Sequence, residues 1–126
     1  MKKLLLAVML CLGCMSAQAQ VAPPTVIGVD EALLQWDAST VWDPQTASFP
    51  LERMVGTCST SGAWVEIAQV PPTQLWYLDK TLARGVTYCY RVYRLGTGVL
   101  GKSAPSNMAS KAIPPVPTVP ANLRAQ

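Results

Sequence analysis

Histidine is absent from this chain, and charged residues make up only 13% of it. Without imidazole the commonest general base is missing, as are the usual hydrolase triads and most transition-metal sites. Catalysis would have to rest on carboxylates alone. Basic charge is scarce too: ten Lys and Arg against seven Asp and Glu give +3, and two of the positives, Lys2 and Lys3, sit at the extreme N-terminus. The +1 that remains is too little for a nucleic-acid surface, which gathers many Lys and Arg on one face. No Gly-rich phosphate loop is present, because Gly96, Gly98 and Gly101 are followed by neither a helical pattern nor a lysine-serine motif at the right spacing. The longest apolar run, Leu4 to Met15, covers 12 residues, short of the roughly 20 that cross a bilayer as a helix.

That run belongs to a secretory leader. Lys2-Lys3 form its charged start, Leu4 to Leu12 its apolar centre, and Ala17-Gln18-Ala19 a small-x-small cleavage site, so residues 1–19 are expected to be removed and Gln20 to begin the exported chain. The short Lys-Lys leader fits a bacterial or phage source and a secreted or periplasmic destination. Leu12-Gly13-Cys14 offers an alternative, an outer-envelope lipoprotein attached through Cys14, although Cys11 stands where a lipobox wants an aliphatic residue. The plain reading of both cysteines is apolar filler.

Removing 19 of 126 residues leaves 107, one domain's worth, with all nine aromatics and two cysteines, Cys58 and Cys89. An even pair of thiols in an oxidising compartment reads as a disulfide. The alternative is two buried free thiols. Zinc would need more ligands than two thiols supply, so no metal or cofactor is expected.

From Pro23 onward, short β-favouring runs alternate with Pro, Gly, Ser and Asp, the pattern of an all-β sandwich. Seven strands are expected: 24–29, 32–36, 49–55, 63–70, 75–79, 88–93 and 104–113. Alternation puts Ala32, Leu34 and Trp36 on one face, and Tyr88, Tyr90 and Val92 inward with Cys89, Arg91 and Tyr93 outward.

Tyr77 to Val92 resembles the aromatic-x-Asp-x-x-Leu-x-x-Gly-x-x-Tyr-x-Tyr-Arg-Val run of fibronectin type III domains. Trp36, the stretch Trp64-Val65-Glu66-Ile67-Ala68 and the stretch Ser103-Ala104-Pro105-Ser106 resemble further marks of that family, in order, over roughly 23–113. The resemblance implies a seven-stranded antiparallel, immunoglobulin-like β-sandwich with Trp36, Leu82, Gly85, Tyr88 and Tyr90 as its structural residues. Tyr88 is expected to act as a tyrosine corner, its ring in the core and its hydroxyl bonded to backbone a few residues upstream. Two features depart from the family. Arg94 falls at an inward position where a small residue is usual, so its stem should pack at the rim with its head in water. The cysteine pair is not general in the family, but in such a sandwich the third strand ends and the sixth begins at the same end. A bridge between them would close 31 residues and stabilise by roughly 3 to 4 kcal/mol.

Residues 114–126 carry Pro114, Pro115, Pro117 and Pro120 and suit an extended linker. Pro120 to Ala125 also resembles the first strand of a further domain of the same kind, a vestige or truncation of a tandem array, or a strand that pairs with a partner's edge.

Asp37 and Asp43 flank Trp42, a grouping that could recruit two acids to a sugar-stacking ring. Turn formation accounts for both acids more simply, and no enzyme activity is expected. Binding is the main expectation: contact with an extracellular or envelope protein or polysaccharide through Trp42, Arg91 and Tyr93, and through Trp64 or Trp76 if exposed, since aromatics and Arg dominate interface energetics. The alternative is an envelope structural or spacer component.

Overall fold

In the computed structural model, residues 20–37 and 45–125 are described. Their strands are β1 (Ala32–Gln35), β2 (Thr46–Val55), β3 (Val65–Val70), β4 (Trp76–Asp79), β5 (Thr87–Val92), β6 (Leu95–Gly96) and β7 (Ala109–Ala112), with one 3-10 turn at Gly98–Leu100. All pairings are antiparallel. β1 and β4 make a small sheet, while β3, β2, β5 and β7 make the larger one, with β6 added to the start of β2. The chain therefore changes sheet between β1 and β2, between β3 and β4, and between β4 and β5.

The seam between the sheets holds Ala32 from β1 and Tyr88 and Tyr90 from β5, with Ile113 just beyond β7. Leu34, Ile67, Leu82 and Val86 pack against this group. Trp36 meets Phe49 edge to face, ring centroids 5.8 Å apart, and so bridges the layers beyond the end of β1. Each fully buried side chain of this size contributes roughly 1.5 to 3 kcal/mol. The alternation expected of 32–36 and 88–92 holds.

The tyrosine corner forms as expected: the Ala83 N–H donates to the Tyr88 hydroxyl oxygen at 2.9 Å. Gly85 makes the preceding turn at φ +79°, a left-handed conformation that a Cβ would penalise. Its N–H reaches the Ile113 and Pro114 carbonyls, and Arg84 donates to Pro114 and Pro115, so the start of the tail is held against this end of the sandwich.

Four expectations need correction. Residues 24–29 form no strand: Pro24 has no N–H to give, and the chain turns at Gly28, whose N–H donates to the Glu31 carboxylate while the Glu31 N–H returns to the Gly28 carbonyl. The last strand is shorter than 104–113 because Pro105 interrupts it. Around that proline, Ser103 and Ser106 replace ladder acceptors, their hydroxyls receiving the N–H groups of Arg94 at 2.9 Å and Val92 at 3.0 Å. Arg94 does not leave its head to water; its Nε donates to the buried Thr46 hydroxyl at 2.7 Å. Cys89 points away from the seam but is 0% exposed, because the β2–β3 turn folds over it.

Candidate functional site

The outer face of the larger sheet brings together residues from β2, β3's approach, β5 and the segment before β7. β2 and β5 place Glu52 directly opposite Arg91, and Met54 opposite Cys89. Opposite-charge pairs at such positions stabilise a sheet. The Arg91 Nε donates to Glu52 Oε1 at 2.7 Å. Its guanidinium lies 4.1 Å from the centre of the Trp64 ring and 5.4 Å from that of Tyr93. Lys102 stands 3.9 Å over the Tyr93 ring and 3.9 Å from Glu52 Oε2. Trp64, Arg91, Tyr93 and Lys102 thus form a continuous row of alternating rings and cations above one carboxylate. Each cation-ring contact is worth about 0.5 to 1 kcal/mol at an exposed site.

Local structure holds the row in place. The Trp64 indole N–H donates to the Ser59 carbonyl at 2.9 Å, which seats the ring on the β2–β3 turn. That turn is tied to β5 by the disulfide between Cys58 and Cys89, whose Cα atoms are 5.3 Å apart, as expected from the sequence. Met54 fills the space beneath, so closely that a Cβ on Gly62 would strike it. Partial burial and the neighbouring Glu52 carboxylate raise the Tyr93 phenol above its ordinary pKa, while Arg91 pulls the other way.

Of the expected contact residues, Arg91 and Tyr93 come together in this row. Trp42, with Asp43, lies outside the described residues, as do the leader and Cys14. Trp64 and Trp76 are half-buried, and the Trp76 indole N–H donates to the Val21 carbonyl at 2.8 Å. Sequence reasoning missed Glu52 and Lys102. An acid two residues before Met54 on an alternating strand was the available signal for Glu52, but its partner depends on a register between strands that are not neighbours in sequence.

A second charged group, also missed, sits in the seam. Asp79 is 1% exposed and accepts from Arg53 at 2.8 Å, from the Tyr90 hydroxyl at 2.8 Å, and from the Thr81 N–H and hydroxyl. Burial works against its charge, yet these donors together hold the carboxyl below its ordinary pKa. Burial and the bond to Asp79 push the Tyr90 phenol far upward. Arg53 also lies 5.1 Å over the Tyr88 ring. Every member of this group has its partners inside the fold, which makes it a structural lock. Among the described residues there is no cluster of three or more His, Cys, Asp or Glu, and no helix long and apolar enough to cross a membrane.

No family model matches the sequence, and no curated protein matches it. Solved structures do. The twitchin kinase region from C. elegans, which includes a fibronectin type III domain, superposes with TM-score 0.55 and 20% identity over 71% of this chain, which spans only 15% of that protein. The solution structure of the fibronectin type III domain of human fibronectin type III domain containing protein 3 matches with TM-score 0.53 and 24% identity, over 73% of this chain and 80% of the other. The chain has the fibronectin type III fold.

Proposed function

We propose that this chain is an exported, non-catalytic recognition module of fibronectin type III type that contacts an extracellular or envelope protein or polysaccharide through the outer face of its larger sheet. The observation that carries the reading is the row of Trp64, Arg91, Tyr93 and Lys102 over Glu52. Rings and guanidinium groups held by their neighbours lose little side-chain entropy when a partner arrives, and Trp, Tyr and Arg are the residue types that dominate interfaces. An aromatic ring can also stack on a sugar. Trp42 extends the same reading to the loop after β1.

The leader at residues 1–19 and the Cys58–Cys89 bridge support export to an oxidising compartment, with a bacterial or phage source in keeping with the leader's form. Mass spectrometry of the exported protein separates a free module beginning at Gln20 from one carrying lipid on Cys14. The binding test is a screen of glycans and cell-surface proteins with wild type, Tyr93→Ala, Lys102→Ala and Trp42→Ala. Binding that falls in Tyr93→Ala and Lys102→Ala while the melting temperature holds supports the sheet face. Binding lost only in Trp42→Ala moves the contact to the loop, and no binding by wild type leaves a passive spacer.

A further inference from the structure

The Trp64 end of the row hangs on a single turn. β2 and β3 last pair at Arg53 and Val65, and Gly56 donates its N–H to Thr87 at the start of β5, so the chain between Gly56 and Val65 leaves the larger sheet. Its backbone bonds are then local: the Ser59 carbonyl accepts from the Gly62 N–H at 3.2 Å, and the Gly62 carbonyl from the Trp64 N–H at 3.0 Å. The Trp64 indole N–H ends on the same Ser59 carbonyl, and the Ser59 hydroxyl bonds to Ser61. Residues 59–64 are therefore one self-bonded unit, with the indole ring as part of it.

Three ties hold that unit down on the sheet. Gly62 rests on Met54, Trp64 lies on the Arg91 guanidinium, and Cys58, next to Ser59, is bonded to Cys89 of β5. The first two are weak. Gly62 has no side chain to bury against Met54, and one cation–ring contact plus one hydrogen bond offsets the entropy of ordering only about one or two residues. Residues 57–64 need more than that, so the covalent tie decides whether the turn stays closed. The same closure seals Cys89 at 0% exposure. Arg91 itself does not depend on the turn, because β5 and the bond to Glu52 fix it.

Resting on the reading of this face as the recognition surface, we infer that the Cys58–Cys89 bridge controls whether that surface is complete. With the bridge closed, Trp64 lies on Arg91; with it open, the turn lifts, Trp64 leaves Arg91, and Cys89 and Met54 are uncovered. Opening takes a dithiol reductant. One of its thiolates attacks the sulfur of Cys58, the half-buried and so the more accessible member, and Cys89 leaves as a thiolate that takes up a proton. The second thiol of the reductant then displaces Cys58 and closes the reductant's own disulfide, so that two electrons and two protons pass to the protein. Closing runs the same exchange backwards against a disulfide oxidant, the chemistry of an oxidising compartment. A partner of the Trp64–Arg91 end therefore meets its surface only where the bridge can form.

The test compares oxidised protein, protein held in excess dithiothreitol, and Cys58→Ala with Cys89→Ala, which cannot reoxidise. It needs no partner, so a failed binding screen and a failed control by the bridge are told apart. In the reduced protein, iodoacetamide followed by mass spectrometry should label Cys89 within about threefold of the rate at Cys58, although the closed fold leaves Cys89 no exposed surface. In proton exchange followed by nuclear magnetic resonance, the Trp64 indole N–H, assigned with Trp64→Phe, should exchange roughly tenfold faster both on reduction and in the double alanine variant. The Arg91 Nε–H should lose its ring-current shift in the same samples, while the backbone N–H groups of Tyr88 and Tyr90 stay protected. Cys89 left unlabelled while Cys58 reacts, or Trp64 exchange unchanged with both thiols free, would mean that the turn stays shut without the bridge. Protection lost at Tyr88 and Tyr90 together with Trp64 would mean that the bridge holds the whole domain. Each of these results overturns the proposal.

Discussion

The Tyr90 hydroxyl donates to Asp79 Oδ2 at 2.8 Å, and both residues are almost wholly buried in the seam between the sheets. This bond joins β5 to β4, and Arg53 from β2 reaches the same carboxylate oxygen. Three strands from two sheets therefore meet on one charge.

Acid should undo this lock. Asp79 has a folded-state pKa below its unfolded one, so the stability it confers is present above the ordinary carboxylate value of about 3.9 and is lost as pH falls through the folded value. Denaturant titrations of wild type should show a drop in stability below about pH 4, and Asp79→Asn should flatten that part of the profile. An equal pH dependence in the variant would assign the acid sensitivity elsewhere.

Removing the cation is expected to be worse than removing the acid. Arg53→Met leaves the Asp79 carboxylate buried without its main counter-charge and should cost about 3 kcal/mol, whereas Arg53→Met combined with Asp79→Asn should recover part of the loss. A double-mutant cycle by urea denaturation measures the coupling.

Reduction should loosen the β2–β3 turn. Loss of the Cys58–Cys89 bridge is expected to cost about 3 kcal/mol and to lower the melting temperature by on the order of 15 °C. Thermal melts with and without reductant check this, and two thiols titrating in the oxidised protein would contradict the bridge.

The two serines around Pro105 should matter more than their exposure implies. Ser106→Ala deprives the Val92 N–H of its hydroxyl acceptor, and Ser103→Ala does the same to Arg94, each at about 1 kcal/mol. Hydrogen exchange at Val92 and Arg94 should quicken in the matching variant, with β1 unaffected.

Much of the fold was legible because its cause is local. Alternation over Ala32 to Trp36 and Tyr88 to Val92 depends only on the pleat of a strand, and the Gly85 turn and Tyr88 corner on spacing within a dozen residues. The missing strand at 24–29 shows the limit: β-favouring Val26, Ile27 and Val29 need a partner to become a strand, and nothing in their own order supplies one.

Short-range pattern, together with the resemblance to fibronectin type III domains, pointed to an antiparallel sandwich with Trp36, Tyr88 and Tyr90 at its centre, and the even cysteine count pointed to a bridge between Cys58 and Cys89. Only the tertiary structure decided that Glu52 stands under Arg91, that Arg53 turns inward to Asp79 and that Cys89 is sealed. Those outcomes follow from register and from which strands cross between sheets. Both are set by the summed packing of residues distant in sequence, which no single stretch of the chain encodes.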